Sequence, residues 1–176
     1  TDAVVAASRG IAGLVMEYVE GPNLQQVMER APGPSDPELV RDVMLPVLQG
    51  MHHAHQEGVL HRDLKPANVL LSRDAARRWR PRVVDFGIAH VADPDLLPPN
   101  PPRSTKAGAL LGTPAFMAPG QARGGTPSAR WDVFALGVIL FELLTGAHPF
   151  EAEDDQATME AVKAGDLRAP REVRPE

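Results

Sequence analysis

The stretch "WDVFALGVILFELLTG", residues 131–146, most restricts how this chain can fold. It contains no proline, carries charge only at Asp132 and Glu142, and ends on Gly146, the residue type that most readily closes a helix in the left-handed region. It therefore reads as a helix that is apolar on nearly every side, and such a helix belongs at the centre of a domain with other elements around it. Its apolar centre, "VFALGVILF" at 133–141, is stopped by Glu142, well short of the roughly 20 residues a bilayer span needs. A chain of 176 residues with 43% hydrophobic and 23% charged residues is long enough for one soluble domain with a real core. The net charge of -5 gives no global field favouring nucleic acid or an anionic membrane. With no cysteine, disulfides and thiolate metal sites are excluded, while the compartment stays open. Arg9 interrupts the short apolar stretch at the amino end, which does not read as a signal peptide. Because the chain starts with Thr1 and not Met, its natural amino terminus is expected to lie upstream.

Around that helix the pattern is mixed. "AVVAAS" and "GLVMEYV" read as two strands, compatible with a hairpin, and "EGPN" (20–23) as a break before a short helix through "LQQVMER". Ser35 with Glu38 three residues later fits a capping box with Pro37 in the first turn; the helix should run to about Gln56, stop at Gly58 and bend at Pro46. "NVLLS" and "PRVVDF" read as short strands flanking the arginine-rich loop "RDAARRWRPR". Prolines at 94, 98, 99, 101 and 102, with Pro114 shortly after, predict an extended, mobile loop that cannot join a sheet. The tail from Glu153 reads as one more amphipathic helix, and no internal repeat is present.

The chemistry concentrates in "HRDLKPANVLL" (61–71), where Asp63, Lys65 and Asn68 place a hydrogen-bond acceptor, a fixed positive charge and a neutral oxygen ligand within one short segment. That combination suits a highly charged substrate that needs both a base and a counter-charge. "VVDFG" (83–87) adds Asp85 at the end of an apolar run, with Gly87 permitting a sharp turn, and "GTPAFMAPG" (112–120) follows the proline-rich loop.

"HRDLKPAN", "DFG", "GTPAFMAP" and "DVFALG", in this order, resemble the protein kinase family, and "LKP" after the aspartate points to the serine/threonine class. "QARGG" and "DVFALGVILFELLTG" look like a bacterial eukaryotic-type kinase, and the resemblance extends from about Gly13 to Phe150. It implies an α+β fold: a mainly helical kinase large lobe with short β-hairpins and the last strands of the small lobe. Residues 1–19 would be the residual small-lobe strands and hinge, 20–176 a large lobe truncated at its carboxyl end, and 85–120 the activation segment. The resemblance further implies transfer of the γ-phosphoryl group of ATP to serine or threonine hydroxyls of protein substrates, with Mg²⁺, or Mn²⁺ as the alternative. Asp63 would accept or orient the hydroxyl proton, and Lys65 would sit on the transferring phosphate. Asn68 and Asp85 would hold the metal, which prefers oxygen ligands. Thr113 would support Asp63 and Lys65, and Pro66 would stiffen the loop. Arg62 would answer a phosphorylated activation loop. In "MEYVEG", Met16 would be the gatekeeper, Glu17 and Val19 would offer backbone groups to adenine, and Leu70 would be its apolar floor. His61, Phe86, Gly87 and Asp132 would be structural, Asp132 by bracing the catalytic-loop backbone. Nucleic acid and membrane contact by this segment are not implied. A cytoplasmic location is, with room for a membrane anchor and a dimer in a longer parent.

Blander readings apply elsewhere. "MHHAH" reads better as a His53–Glu57 surface pair with His55 topping the helix than as a metal site. The five arginines of 73–82 read as a solvated hairpin loop before a docking patch, and "PPNPP" as part of a flexible loop before a ligand for a proline-reading domain. Ser104 and Thr105, between Arg103 and Lys106, are candidate phosphosites.

The sequence also departs from the family pattern. No G-x-G-x-x-G occurs, and the first lysine is Lys65, so no phosphate-pairing lysine precedes the hinge. Gly120 stands where the pattern has glutamate, which removes one half of a buried ion pair. The carboxyl end is expected to fall before the last large-lobe helices, leaving apolar surface exposed. The chain alone is thus expected to be nearly inactive. A non-catalytic, pseudokinase-like binding module is the alternative, and a small-molecule phosphotransferase with a similar Asp, Asn and Asp set fits less well, given "LKP" and the long loop.

Overall fold

The computed structural model describes residues 4–8, 11–15, 17–86, 114–150 and 152–174. In chain order its elements are strands β1 (Val4–Ser8) and β2 (Ile11–Val15), helices α1 (Leu24–Arg30) and α2 (Pro37–Gln56), and strands β3 (Val69–Arg73) and β4 (Trp79–Val83). Helices α3 (Pro119–Ala122), α4 (Ala129–Thr145), α5 (Asp155–Ala164) and α6 (Pro170–Val173) follow, with single 3₁₀ turns at Pro66–Asn68 and Pro114–Phe116.

The apolar stretch is α4, and it lies between two cores. One side carries Ala135, Leu136, Ile139 and Leu143 into a cluster with Val43, Val47 and Met51 of α2 and Val69 and Leu71 of β3. The other carries Val138 into a cluster with Met117, Phe150, Met159 and Val162, so that α5 packs from the far side. Burial is not complete: Val133 and Leu144 remain exposed.

Helices α1, α2 and α5 start where a side chain accepts an orphan N–H. Asn23 and Gln26 form a reciprocal capping box on α1. On α2 the cap is Asp36 and not Ser35: the Asp36 carboxylate accepts the Glu38 N–H at 2.7 Å, with Pro37 in the first turn. Aspartate adds a negative charge at the positive helix end, which serine cannot. The helix runs unbroken through Pro46 to Gln56, and Gly58 follows in the left-handed region (φ 74).

Both sheets are two-stranded antiparallel ribbons. β2 begins at Ile11, earlier than the apolar pattern alone places it, because Ser8 pairs with Ile11 and Val4 with Val15. β4 is likewise shifted to Trp79–Val83: its register pairs Val69 with Val83 and Arg73 with Trp79, and Pro81 sits opposite Leu71. Asp85 therefore lies beyond the strand. A proline is tolerated because β4 is an edge strand.

Two glycines fix how connections cross. At Gly21 (φ 139) a Cβ would lie 2.0 Å from the Leu71 carbonyl oxygen, so the hinge passes directly over β3, where the Leu71 N–H donates to the Pro22 carbonyl at 2.8 Å. At Gly146 (φ 73), which ends α4, a Cβ would lie 2.4 Å from the Gly33 backbone; the Ser35 N–H donates to the Leu143 carbonyl at 2.7 Å beside it. Gly165 has the same φ of 73 but open space around it. Gly165→Ala should therefore cost only the left-handed penalty of about 1 kcal/mol, and Gly146→Ala that penalty plus a clash of at least about 2 kcal/mol more. Urea denaturation of the two variants checks the difference.

Candidate active site

The segment 61–68 is held by one buried carboxylate. Asp132, at the start of α4 and 1% exposed, accepts the His61 N–H (2.9 Å) on Oδ2 and the Arg62 N–H (2.8 Å) on Oδ1. Its Oδ2 also meets His55 Nε2 at 2.8 Å. An ionised carboxylate only accepts, so Nε2 of His55 carries the proton. Arg62 takes φ 68, a conformation that costs a non-glycine residue about 1–2 kcal/mol. The two N–H bonds to Asp132 hold it there.

His61 is fully buried and joins the two halves of the site. Its Nδ1 accepts the Asp63 N–H (3.3 Å), so Nε2–H donates to the Val84 carbonyl (2.9 Å), and its ring packs on Phe86 with centroids 4.8 Å apart. The Val84 N–H in turn donates to the Asn68 carbonyl at 3.0 Å. The residue immediately before Asp85 is thereby bonded to both ends of the 61–68 segment. Asp85 itself is exposed, at φ 60.

Within the segment, Lys65 Nζ donates to Asp63 Oδ2 at 2.9 Å, and Asn68 Nδ2 donates to the Asp63 carbonyl at 2.8 Å. Tying down the Asn68 amide nitrogen leaves its oxygen as the atom available to a ligand. The Asn68 amide oxygen and the Asp85 carboxylate are both hard oxygen donors, the type a hard divalent cation prefers and a thiophilic metal does not. Nearby, the α1 end of the hinge pairs with the strand behind the site, Asn23 bridging Leu70. Val19 is half-buried; Glu17 is exposed and its side chain takes Arg82 Nη1 at 2.6 Å. Met16, Gly87, Ser104, Thr105 and Thr113, with most of the 85–120 segment, lie outside the described residues.

A model of the protein kinase domain matches residues 4–173. The chain belongs to the protein kinase domain family. It is 41% identical over 150 residues to the serine/threonine-protein kinase pkn3 of Myxococcus xanthus, an alignment covering 84% of this chain and 26% of that protein. It is 38% identical over 138 residues to the serine/threonine-protein kinase PknB of Mycobacterium leprae (78% and 20%), and 38% over 140 residues to pkn2 of Myxococcus xanthus (80% and 16%). The matched region spans about a quarter or less of these relatives' length.

Three contributors to this kinase site were not anticipated. His55 stands in the last turn of α2 as expected, but its ring is also a partner of Asp132; no side-chain bond links His53 to Glu57, whose N–H reaches the His53 carbonyl. The signal was available: Val43, Val47 and Met51 line the buried face, and His55 continues it at the next turn. Gln121 Nε2 donates to the Arg62 carbonyl at 2.8 Å, tying the segment after the activation loop to the catalytic loop beside Gly120. Third, a cavity of about 610 Å³ opens beside Lys65, between α1, Phe116 and the end of α4, with Glu29, Glu142 and His148 on its wall. Burial pushes the Glu142 carboxyl from its ordinary value near 4.5 up to about 7, and His148 Nε2 lies 4.0 Å away.

Two outcomes follow from these contacts. Asp132→Ala strands two buried N–H groups and should cost about 2–5 kcal/mol of stability, with Asp132→Asn losing less; urea titration compares them. For Glu142 the folded state retains a proton that the unfolded chain releases above about pH 4.5. Its contribution is complete below that pH and declines as pH rises towards 7. Glu142→Gln should remove that decline, gaining on the order of 1–2 kcal/mol over wild type at pH 8 relative to pH 4, after allowance for screening. Denaturation midpoints at both pH values measure it.

Proposed function

We propose that this chain carries the catalytic half of a serine/threonine protein kinase, transferring the γ-phosphoryl group of ATP to a serine or threonine hydroxyl of a protein substrate. The observation that carries the reading is the linked geometry of Asp63, Lys65 and Asn68, fastened through His61 and Val84 to the residue before Asp85. Family membership and the names of the relatives agree with it.

In this reading the Asp63 carboxylate accepts a hydrogen bond from the substrate hydroxyl and orients it, and takes its proton as the new oxygen–phosphorus bond forms and the bond from the γ-phosphorus to the bridging oxygen breaks, releasing ADP. Lys65, whose Nζ lies 2.9 Å from that carboxylate, brings its positive charge to the phosphoryl oxygens. The Asn68 amide oxygen and the Asp85 carboxylate would hold Mg²⁺, which neutralises phosphate charge when bound. Leu70 and the backbone at Glu17 and Val19 would receive adenine, with Met16 as gatekeeper. Thr113 would support Asp63 and Lys65. The Arg62 Nε, buried without an acceptor among the described residues, would engage a phosphorylated Ser104 or Thr105. Phe86, packed on His61 beside Asp85, would be structural, as would Gly87.

The absence of G-x-G-x-x-G and of any lysine before Lys65 favours a second reading, a non-catalytic module that binds partners. Titration with Mg-ATP and a peptide phosphorylation assay separate the two. We expect weak Mg-dependent nucleotide binding that Asp85→Asn abolishes, and turnover of the isolated chain close to background. Vigorous phosphorylation lost in Asp63→Asn would refute that low turnover and establish the catalytic role. No nucleotide binding at any accessible concentration would favour the binding module.

A further inference from the structure

The arginine-rich turn between β3 and β4 is not used by the site described above. Residues 73–82 hold five arginines and a single aspartate in a chain whose net charge is -5. Asp74 is saturated. Its Oδ1 accepts the Ala76 and Arg78 N–H groups, both at 2.9 Å, while the guanidinium groups of Arg78 and Arg80 converge on Oδ2, each at 3.0 Å. One negative charge thus faces two positive ones. Both guanidiniums are more than half exposed and retain N–H donors beyond those used on Asp74.

Across from them lies α2. Arg41, Leu45 and Leu48 follow the i, i+4, i+7 spacing of one helix face, and Leu45 and Leu48 are 53% and 41% exposed. Arg41 bonds only one oxygen of its neighbour Asp42, at 2.9 Å, and is itself well exposed. Between α2 and β4 is a hollow of about 190 Å³ whose floor is apolar (Leu45, Pro46 and Trp79) and whose rim carries Arg41, Arg78 and Arg80 with one acid, Asp42, already paired with Arg41. Apolar floor and guanidinium rim on rigid elements form a two-part recognition surface: the floor takes a large aliphatic side chain, and the planar donors take carboxylates on either side of it.

We propose that this hollow docks an acidic peptide segment of another protein, a leucine-like side chain entering over Leu45 and Trp79 while flanking carboxylates meet Arg41 on one side and Arg78 and Arg80 on the other. The occupant is chosen by charge complementarity: a basic segment would meet three guanidiniums, and a purely apolar one would leave them unanswered. None of the residues lining the hollow belongs to the Asp63 site.

The test is fluorescence anisotropy with the whole chain and a labelled peptide that has leucines at its centre and glutamates on both flanks. Binding should be saturable and weaken with added salt. Arg41→Glu and Leu45→Ser, both at exposed positions, should each reduce affinity about tenfold, or about 1.4 kcal/mol. Replacing the central leucines by serine should do the same, and lysine flanks should abolish binding. Arg80→Gln serves as a second rim variant, with thermal melts by circular dichroism showing that each variant is folded. The proposal is overturned if the peptide does not bind, if polyglutamate binds as well as the leucine peptide, or if Leu45→Ser binds as wild type. Capture by phosphatidylserine vesicles with no peptide binding overturns it equally.

Discussion

Asp132 is the constraint on which the site depends. A carboxylate buried in an apolar helix would ordinarily be destabilising, since taking a charge out of water costs several kcal/mol unless its lone pairs are filled. Here they are filled by the His61 and Arg62 backbone and by the His55 ring. These donors come from two parts of the chain that α4 must bring together, so the same bonds that stabilise the charge also position the catalytic loop. Fold and site are therefore coupled: the central helix cannot leave its place without stranding the charge, and the loop cannot relax without losing its acceptor.

The helix carries a second acid near its other end, and the contrast shows how environment assigns roles to the same functional group. Asp132 has three donors, whereas Glu142 faces a cavity with His148 Nε2 4.0 Å away, and burial raises its pKa to about 7. One carboxylate is committed to structure. The other stands in a space large enough for a side chain to enter, on the same wall as Lys65. A cationic group arriving there would favour the charged form of Glu142, so occupancy of the cavity and its protonation are linked.

Much of this was readable before any coordinates. The apolar run of 131–146 gave the central helix and its glycine stop, and "HRDLKPAN" with "DFG" marked where the chemistry gathers. Those signals are local: a period, a stop residue, a short ordered motif. What escaped depends on which residues meet across the fold. The position of His55 at a helix end is local, but its bond to Asp132 is not: the face that continues Val47 and Met51 meets Asp132 only when α4 is in place. The choice of Asp36 over Ser35 as helix cap turned on a single position of register, and the start of β4 on two, where a tryptophan and an arginine that look like loop pair with β3. The cavity beside Lys65 has no sequence signature, because its walls come from α1, the catalytic loop and the end of α4.

Strain is distributed in the same pattern. Among the described residues, the non-glycine positions with positive φ are Arg62, Arg77 and Asp85. Arg62 and Asp85 flank the groups read as catalytic, and Arg77 sits in the arginine-rich turn. Each conformation is disfavoured by about 1–2 kcal/mol and persists only where neighbours over-determine it. Arg62 is held by Asp132 from one side and Gln121 from the other; Val84, one residue before Asp85, is held by His61 and Asn68. Arg77 is held by its N–H to the Asp74 carbonyl (2.8 Å) and by Arg73 Nη1 on its own carbonyl (2.6 Å). The fold thus spends hydrogen bonds on keeping two surfaces in conformations their residues would not adopt alone. At the first, those bonds fix the backbone on either side of Asp63 and Asn68 and just before Asp85; at the second, they hold the turn from which exposed guanidinium groups project.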